Sequence, residues 1–493
     1  MNVVPFKLQK TPKTQHINPE ETASELEAHF DQMALTHDQW RQKNALYYKE
    51  QTQLLKHLIP PGLKVLELGC ATGDTLAALN PSVGVGVDFS GQMLEKARLK
   101  YPHLRFEKMN AETLDLGEET FDVVVLADLV GELRDLWAAF RALRKICHPE
   151  TRIVISYYNF FWQPALELAQ SIGFKRPQYI QNWFTIGDIT NLLRLNGFTK
   201  VSHGDKLLCP LAVPMIGNLL NRYAAGLPGI HHLNLLQYVV ARPGPDFHVQ
   251  PEPLSTTVLI PAKNERGNIR PAIRRTPKMG PKTEIIFVEG GSEDGTREEI
   301  LRAMEEEDSP CDIRFVPQTG KGKGDAVMSG FAQATGDVLM ILDADLTVMP
   351  EDLPRFYMAL AEGRGEFING CRLVYPMEDE AMRHLNLIAN KLFGIAFSYV
   401  LSQPLKDTLC GTKVLRRSDY NKIHRQRDMF GAKDPFGDFD LLFGASQLGL
   451  QIAEMPVRYK ARRYGSTQIH RFRHGLMLGK MLWRGYKHFK IDI

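Results

Sequence analysis

Two carboxylates, Asp343 and Asp345, stand two positions apart directly after the apolar run 338–342. Such a run predicts a buried strand, and carboxylates at its tip are poorly suited to packing because a buried charge is costly unless it is paired. Mg²⁺ and Mn²⁺ take oxygen ligands, often one or two carboxylates together with substrate phosphates. We therefore predict Mg²⁺ or Mn²⁺ at Asp343 and Asp345, where the ion would neutralise charge on a departing diphosphate. A lone Asp-x-Asp sequence also occurs in solvated turns, and here the preceding apolar run favours the metal.

A glycine-bearing turn in the first part of the chain forms a second candidate site. Residues 65–74 read as an apolar strand, a turn with Gly69 and Gly73, and the beginning of a helix. Glycine lets a ligand approach the backbone, and the first turn of a helix offers unpaired N–H groups. Asp88 ends the next predicted strand, where a carboxylate can accept hydrogen bonds from both ribose hydroxyls. A glycine turn alone is a weak signal, but together with Asp88 it predicts binding of a nucleoside-containing cofactor.

Apolar, β-branched runs alternate with helical patterns twice along the chain. This alternation is typical of β-α-β units and of largely parallel sheets. We therefore predict an α/β protein with two doubly wound domains. The predicted strands are 64–68, 84–88, 122–126 and 152–156 in the first series, and 257–261, 284–289, 313–316 and 338–343 in the second. The two series carry different motifs, so no internal repeat is predicted.

A proline-rich segment separates the two series. Residues 241–254 hold four prolines, a composition that disfavours helix and central strand alike and indicates a semi-rigid linker. We predict five regions: a flexible N-terminus at 1–24, a first domain at 25–243, a linker at 244–254, a second domain at 255–470 and a basic segment at 471–493.

Composition and charge exclude several classes of protein. Hydrophobic residues make up 44% of the 493 residues and charged residues 24%, which excludes a disordered, collagen-like or coiled-coil protein. The 60 Lys and Arg nearly balance the 57 Asp and Glu, so no nucleic-acid partner is expected. Six scattered cysteines predict neither a zinc site nor disulfides. Without an N-terminal apolar run or a membrane-spanning stretch, we expect a cytoplasmic protein.

The first domain resembles the class I S-adenosylmethionine-dependent methyltransferases over roughly 25–243. The resemblance rests on the turn at 65–74, on Asp88 and on the strand at 121–125. It implies S-adenosylmethionine as the cofactor, an adenine contact at 110–112 and an acceptor pocket beside Asp128. Ala71 stands where many members carry glycine, and alanine is small enough for binding to persist. The implied cofactor-binding residues are Glu67, Gly69, Ala71, Gly73, Asp88, Ala111, Glu112 and Asp128.

The methyl acceptor is less well specified than the cofactor. Methyl transfer requires mainly that the acceptor be aligned with the sulfonium methyl group, so few residue types are diagnostic. Aromatic side chains of this domain can line an acceptor pocket, although the core is their commoner place. They are Tyr47, Tyr48, Tyr157, Tyr158, Phe160, Phe161, Trp162 and Trp183.

The second domain resembles the GT-A fold of glycosyltransferase family 2 over roughly 255–470. The resemblance rests on 256–265, 285–296, 321–326 and 338–346. It implies a UDP- or GDP-linked sugar as donor and the Asp343 and Asp345 pair as the metal and diphosphate site. Glu289 stands where the family usually has aspartate, and Gly290 where a second aspartate often occurs, so the base stays open. The implied substrate-binding residues are Pro261, Ala262, Glu265, Glu289, Lys323, Asp343, Ala344 and Asp345.

The segments 407–417, 439–459 and 462–469 resemble those of the polyprenyl-phosphate (dolichyl-phosphate) mannose and glucose synthases. This implies a polyprenyl-phosphate acceptor, whose phosphate is already anionic and needs no general base. Guanidinium groups bind phosphate well, and the candidates are Arg372, Arg383 and Arg462. Gln468 replaces a lysine common in those synthases, which removes a positive charge. Asp438 or Asp440 acting as a base for a hydroxyl acceptor therefore stays open.

Two segments are suited to a lipid surface. Residues 458–490 carry ten Lys and Arg and no Asp or Glu among large apolar residues, which is typical of an amphipathic helix on an anionic membrane. Residues 390–404 form a second candidate. Both segments suit packing on the protein core about equally well, so peripheral contact with the inner face of the membrane is one of two expectations.

The sequence thus predicts a bifunctional enzyme. One half would transfer a sugar from a nucleotide sugar to a polyprenyl phosphate or another envelope-glycan acceptor, and the other would methylate a related glycan or precursor. Two alternatives stay open. One half, more readily the methyltransferase, is a non-catalytic scaffold, or the sugar acceptor is the hydroxyl of a soluble saccharide.

Overall fold

A computed structural model describes residues 23–176, 181–211, 216–225, 227, 230–247, 249–375, 384–426, 437–462, 464 and 471–491. Arg383, Gln468 and residues 1–22 of the predicted flexible N-terminus lie outside this part of the chain. The chain divides into two compact units, residues 1–248 and residues 249–493.

The first unit is built on a seven-stranded sheet with the strand order β3-β2-β1-β4-β5-β7-β6. Strands β1 to β5 pair in parallel, and β7 runs antiparallel to both of its neighbours, β5 and β6, so that β6 has the same direction as β1 to β5. The strands are β1 Lys64–Leu68, β2 Val83–Asp88, β3 Arg105–Lys108, β4 Phe121–Ala127, β5 Cys147–Tyr158, β6 Phe198–Lys206 and β7 Leu236–Pro243. The helices are α1 Ala23–Ala34, α2 His37–Lys43, α3 Ala45–Leu58, α4 Asp74–Ala78, α5 Gly91–Lys100, α6 Leu136–Leu143, α7 Gln163–Ser171, α8 Ile186–Leu195 and α9 Ile216–Leu219.

Local sequence explains where several of these helices begin. Ser90 accepts a hydrogen bond from the N–H of Met93 and caps α5, and Asp135 caps α6 in the same way. Thr185 and Asp188 form a reciprocal capping box at the start of α8. Each cap satisfies N–H groups that a helix cannot pair internally. The central strands β1 and β4 are almost wholly buried, because helices cover both faces of a parallel sheet.

The second unit contains another seven-stranded sheet, with the order β10-β9-β8-β11-β13-β12-β14. Strand β13 is antiparallel to both β11 and β12, and the other pairs are parallel. The strands are β8 Thr256–Ala262, β9 Thr283–Glu289, β10 Asp312–Pro317, β11 Val338–Ile341, β12 Phe367–Cys371, β13 Lys413–Arg416 and β14 Ile452–Pro456. The helices are α10 Ile269–Arg275, α11 Thr296–Glu306, α12 Lys323–Phe331, α13 Leu353–Ala361, α14 His384–Leu401, α15 Arg417–Gln426, α16 Phe439–Gln447 and α17 Arg471–Tyr486.

The predicted α/β class is confirmed, with two corrections. Strand β11 ends at Ile341 and not at the predicted residue 343, so Asp343 lies in the loop beyond it. Residues 241–243 were expected to avoid a central strand, yet they complete β7 between β5 and β6. Pro243 is tolerated because it is the last residue of the strand, where a missing N–H interrupts no ladder.

The two segments for which a lipid surface and the protein core were equally expected contribute to the core of the second unit. Phe397 and Val400 of α14 share one buried cluster with Leu478 and Met481 of α17. Other side chains of these helices stay exposed, among them Ile395 and Trp483. Among the described residues, no helix is both long and apolar enough to cross a membrane.

Candidate functional site

The glycine turn of the first unit folds back onto the end of β2. Gly69, Ala71 and Gly73 all have positive φ angles, of 69°, 46° and 80°, a region that alanine adopts only with strain. The N–H of Ala71 donates to Oδ2 of Asp88 at 2.8 Å, and the N–H of Ser90 donates to Oδ1 at 2.9 Å. These two hydrogen bonds hold the turn against the end of β2, where Asp88 lies. Each carboxylate oxygen of Asp88 keeps acceptor capacity for a hydroxyl group.

A cavity of about 260 Å³ opens beside this turn. Of the predicted cofactor residues, Glu67, Gly69, Ala71, Asp88, Ala111, Glu112 and Asp128 line it, and Gly73 does not. Gly73 instead begins α4 as its N-terminal cap. Most of the predicted cofactor residues therefore lie together, because β1, β2 and β4 end at the same edge of the sheet.

Two buried carboxylates of this cavity have raised pKa values. Burial raises the pKa of Glu67 to about 8 and that of Asp88 to about 6, the latter against the opposing N–H groups of Ser90 and Ala71. Oε2 of Glu67 has no hydrogen-bond partner among the described residues. A buried acceptor without a partner is costly, so Glu67 is suited to receive a donor group from a ligand.

Glu112 is engaged by the protein itself. Its Oε1 accepts hydrogen bonds from the N–H groups of Arg134 at 2.6 Å and Asp135 at 2.9 Å. Asn110 in turn accepts from the N–H of Glu112. This oxygen therefore fixes the loop before α6. Glu112 also lines the cavity, but its Oε1 already accepts these two hydrogen bonds.

Asp128, which was predicted to adjoin a methyl acceptor, lines the cavity in a strained conformation, with φ at 58°. The hydroxyl of Tyr47 donates to its Oδ1 at 2.7 Å. Burial raises the pKa of Asp128 to about 6, while Tyr47 and Gln51 favour its ionised form. Strain of this kind persists only where the surroundings impose it, and it is common in functional sites. Tyr47 and Tyr158 belong to a small apolar cluster beside it, as does Trp162.

In the second unit, Asp343 in the loop after β11 forms an ion pair with Lys323, the first residue of α12. Nζ of Lys323 lies 2.5 Å from Oδ1 of Asp343. Although burial opposes ionisation, Lys323 holds the pKa of Asp343 below its usual range. Despite burial, Asp343 raises the pKa of Lys323. Gly411 packs directly on this pair, and a Cβ there would collide with both side chains.

Arg462 bridges two predicted site carboxylates. Its guanidinium donates to Oε1 of Glu265 at 2.9 Å and to Oδ2 of Asp345 at 2.7 Å. Oδ1 of Asp345 accepts from Thr347, and Asn268 donates to Oε2 of Glu265. Glu265, in the turn after β8, and Asp345, in the loop after β11, are thus neighbours. Arg462, which was assigned to an acceptor phosphate, pairs with both of them.

The other predicted residues of this unit lie at the ends of β8 and β9 or in the loop after β11. Pro261 and Ala262 close β8, and Ala344 is buried between the two aspartates. Glu289 ends β9, and its Oε1 accepts from the N–H of Ser292 at 2.5 Å. Residues from three strand ends therefore meet at one edge of the sheet, as expected for a ligand site in an open α/β sheet.

Arg372 has a partner that the sequence did not predict. Its Nε and one terminal nitrogen donate to the two carboxylate oxygens of Asp407, at 2.7 and 2.8 Å, and both residues are buried. A bidentate pair of this kind uses the donors best suited to a phosphate. Arg372 thus holds the loop at 407 in place, and its predicted role at an acceptor phosphate would require the pair to open.

The two candidate bases have different surroundings. Asp438 is buried, with Oδ1 3.4 Å from Nζ of Lys413, a lysine that is itself wholly buried. Nζ of Lys413 also donates to Asn369 and to the carbonyl of Cys410. Asp440 lies half-buried in the first turn of α16. Asp407, Asn369 and Lys413 were missed because nothing in their local sequence marks a buried polar network.

A histidine cluster in the first unit was also missed. Asp205, His231 and His232 place their ligand atoms within 4.8 Å of one another, which could hold a metal ion. Nδ1 of His231 lies 2.9 Å from Oδ2 of Asp205, so the carboxylate and the imidazole are already hydrogen-bonded to each other. The adjacent histidines were the available signal in the sequence.

Comparison with known proteins is consistent with both sites. Residues 39–203 match a family model described as a methyltransferase domain, and residues 257–424 match glycosyl transferase family 2. The chain is 31% identical over 189 residues to an undecaprenyl-phosphate 4-deoxy-4-formamido-L-arabinose transferase of Pseudomonas syringae pv. syringae (strain B728a), covering 37% of this chain and 54% of that protein. An enzyme of the same name from Salmonella newport (strain SL254) is 35% identical over 218 residues, covering 43% and 62%.

The chain spans about half the length of the curated relatives it matches. A solved Thermotoga maritima structure, described as a SAM-dependent methyltransferase and possible histamine N-methyltransferase, aligns with a TM-score of 0.37 at 19% identity, covering 44% of this chain and 99% of that one. The chain therefore combines a methyltransferase domain, matched at residues 39–203, with a family 2 glycosyltransferase domain, matched at residues 257–424.

Proposed function

We propose that the chain is a bifunctional enzyme whose second unit transfers a sugar from a UDP- or GDP-sugar to a polyprenyl phosphate. The observation that carries the proposal is the group of acids at the ends of β8 and β11, where Arg462 and Lys323 neutralise Glu265, Asp343 and Asp345. The relatives named for undecaprenyl phosphate support this choice of acceptor.

The acid pair is chemically suited to a divalent cation. Asp343 and Asp345 each pair with a cationic side chain, which indicates that this edge of the sheet accommodates positive charge beside them. Carboxylate oxygens are the ligands that Mg²⁺ and Mn²⁺ prefer. A bound ion at Asp343 and Asp345 would supply charge neutralisation for the diphosphate leaving group.

The chain's own residues would carry the remaining steps. Glu265 and Glu289 would bind the nucleoside of the donor, and Lys323 would lie along its diphosphate. An oxygen of the acceptor phosphate would form a bond to the anomeric carbon as the bond to the nucleoside diphosphate breaks. Because that oxygen is already anionic, no proton has to be removed. Release of Arg462 from Asp345 and Glu265 would leave its guanidinium available to a phosphate.

The first unit would use S-adenosylmethionine to methylate the same glycan or a precursor. Glu67 and Asp88 both line its cavity. Oε2 of Glu67, which has no hydrogen-bond partner among the described residues, and the carboxylate of Asp88 suit the amine or hydroxyl donors of that cofactor. When bound, the cofactor supplies an electrophilic methyl group. Asp128, held by Tyr47, would orient the acceptor and receive its proton, since its pKa of about 6 leaves it ionised at neutral pH.

We further propose that the chain is cytoplasmic and makes peripheral contact with the inner face of the membrane. Leu392, Ile395 and Tyr399 form an exposed stripe on α14, with exposed fractions of 63, 70 and 66%. The exposed Lys391 precedes the stripe, and Trp483 of the adjoining α17 is also exposed. An apolar stripe with flanking cations is suited to anionic lipid, where a polyprenyl phosphate would be found.

The deciding experiment is transfer of labelled sugar to a lipid. The full chain is incubated with Mg²⁺ or Mn²⁺, a panel of labelled UDP- and GDP-sugars and undecaprenyl phosphate, and label in the organic phase is measured. We expect metal-dependent extraction that D345A abolishes and that D312N, an exposed aspartate on β10, leaves unchanged. Donor binding without extractable label would refute the lipid acceptor. Transfer to a soluble saccharide, lost in D438N or D440N, would then identify a hydroxyl acceptor and its base.

A further inference from the structure

The cluster of Asp205, His231 and His232 in the first unit belongs to neither candidate site. One potential ligand atom of each side chain lies within 4.8 Å of those of the other two. The two imidazole rings are neighbours in the turn before β7, with their centroids 3.9 Å apart. Nδ1 of His231 lies 2.9 Å from Oδ2 of Asp205, which is on β6. None of the three side chains lines the cavity beside the glycine turn.

The carboxylate of Asp205 is buried without a permanent cation beside it. Its side chain is only 6% exposed. Oδ1 accepts from Nε2 of Gln237, the residue opposite it on β7, at 3.1 Å, and Oδ2 faces His231. Among the described residues, no Lys or Arg forms an ion pair with Asp205. A buried carboxylate is costly unless its charge is compensated, so this position favours a cation beside Oδ2.

The backbone of the histidine turn is anchored by two side chains of the first unit. Nδ2 of the buried Asn159 donates to the carbonyl of His232 at 2.8 Å. Nε1 of Trp162 donates to the carbonyl of Leu233 at 2.7 Å. The imidazoles themselves reach solvent, since His231 is 37% exposed and His232 is exposed. Side chains presented from a fixed backbone lose little freedom when they bind a ligand.

We propose that Asp205, His231 and His232 bind a divalent transition-metal ion, for which Zn²⁺ is the best match. Imidazole and carboxylate are common zinc ligands, and three protein ligands leave a fourth position for water. Ligand atoms of a tetrahedral zinc site lie about 3.3 Å apart. The hydrogen bond of 2.9 Å would therefore open slightly, while the widest separation, at most 4.8 Å, would close. The bond from Gln237 would orient the carboxylate, as outer partners of metal ligands commonly do.

The ion would brace a long connection within the first unit. Residues 207–235 join β6 to β7, and Asp205 and His231 stand near the two ends of this connection, 26 positions apart. An ion held by both ends restricts the unfolded chain, so its binding free energy adds to the stability of the fold. The role is structural and independent of both proposed reactions.

The test is calorimetric titration of Zn²⁺ into the untagged full chain, freed of metal with EDTA and dialysed. Excess Mg²⁺ is present throughout, because carboxylate sites accept Mg²⁺ and imidazole sites prefer transition metals. We expect one tightly bound Zn²⁺ per chain, weakened about tenfold or more in H232A by the loss of one ligand. H148A is the matched control and should bind as the unaltered chain does. His148 also contacts a carboxylate, that of Glu150 at 3.0 Å, but has no histidine next to it in the sequence.

Thermal melting gives a second readout. At about 100-fold excess over its dissociation constant, Zn²⁺ should raise the melting temperature of the first unit by about 5 °C or more, and H232A should remove this rise. Because His232 is exposed, metal-free H232A should melt with the metal-free unaltered chain, which shows that its fold is intact. D205N, which keeps the shape of the side chain, repeats the test at the buried ligand.

Two results would overturn the proposal. One is an unaltered chain that binds no Zn²⁺ under these conditions. The other is binding by H232A and D205N that is as tight as binding by the unaltered chain. Either result would leave Asp205 and His231 as a hydrogen-bonded pair that holds no metal ion.

Discussion

Individual side chains in the second unit show how a cluster of acids is held together by cationic partners. Arg462 joins Asp345 to Glu265, and Lys323 covers Asp343. Buried carboxylates need such partners because an uncompensated charge in the interior is strongly destabilising. Under the proposed function, the same two cations would interact with phosphate groups if a metal ion bound the acids. Binding of donor and metal would thus exchange partners within one cluster.

The first prediction concerns Asp345. Replacing it with alanine removes a predicted metal ligand and one partner of Arg462, so we expect sugar transfer to fall by about 100-fold or more, in line with the loss of a single electrostatic contact in an active site. The measurement is initial rate with saturating donor and metal. D312N is the control, and a D345A enzyme that keeps its full metal-dependent rate would contradict the assignment.

A second prediction at this scale concerns pH and Glu67. The pKa of Glu67 is raised from its ordinary value near 4.5 to about 8 by burial, so the folded protein binds more protons than the unfolded chain between these pH values. Stability must then fall as pH rises through this window. We expect the melting temperature of the first unit to be higher at pH 5 than at pH 8, and E67Q to flatten this slope. A slope unchanged in E67Q would show that Glu67 is not its source.

At the scale of elements, loops and helix ends decide the shape of the proposed sugar-transfer site. The loop that carries Gly411 precedes β13 and packs against the start of α12 and the loop after β11. Asp407 anchors this loop through Arg372, and Glu454 of β14 accepts from the N–H groups of Lys406 and Asp407. A loop that is distant in sequence from Asp343 and Lys323 thereby forms one wall of the cluster of acids around them.

A third prediction tests that wall. A Cβ at position 411 would collide with Asp343 and Lys323, so G411A should separate this ion pair and reduce sugar transfer about tenfold or more, as expected when a catalytic group is displaced by a fraction of an ångström. G479A is the matched control, because position 479 lies on α17 with open space around it. Equal rates for both variants would show that the contact is not needed.

A fourth prediction concerns the exposed stripe of α14. I395E places a charge among Leu392 and Tyr399, so we expect about tenfold weaker binding to vesicles containing anionic phospholipid, from lost apolar burial and added repulsion. Co-sedimentation is the measurement. L301E, an exposed leucine of α11 in the same unit, should bind as the unaltered protein does. Equal loss in both variants would refute a specific lipid-binding face.

At the scale of the whole molecule, two sheets of seven strands carry two separate sets of site residues within one chain. The candidate methyl-transfer residues of the cavity all lie before residue 248, and the candidate sugar-transfer residues all lie after it. Each unit has its own buried cluster of apolar side chains. We therefore expect that each proposed reaction can be disabled without disturbing the other core.

The fifth prediction follows from this separation. D88A in the full chain should abolish methyl transfer from labelled S-adenosylmethionine to a glycan extract while sugar transfer stays within about twofold, because sites in separate cores act additively. D345A should do the reverse. If D88A leaves methyl transfer intact, the cavity beside the glycine turn is not its site. If no methyl transfer and no cofactor binding occur at all, the first unit is a scaffold.

The sequence alone determined the α/β class, most of the central strands and the positions of the principal acids. It could do so because apolar runs and glycine turns are local signals, and because parallel strands bring their carboxyl ends to one edge of a sheet. Asp88, Asp343 and Asp345 were recognisable for that reason. The division between the two units, after residue 248, falls within the proline-rich segment 241–254.

Only the tertiary structure decided the partners of these acids. Arg462 lies 117 residues from Asp345 and 197 from Glu265, and no local pattern indicates which distant cation will neutralise a given acid. The buried pair of Arg372 and Asp407, the contact between Arg176 and His37 and the core contacts of α17 depend on the same long-range packing. Periodicity determines which face of an element is apolar, but the assembled core decides what that face and its polar neighbours meet.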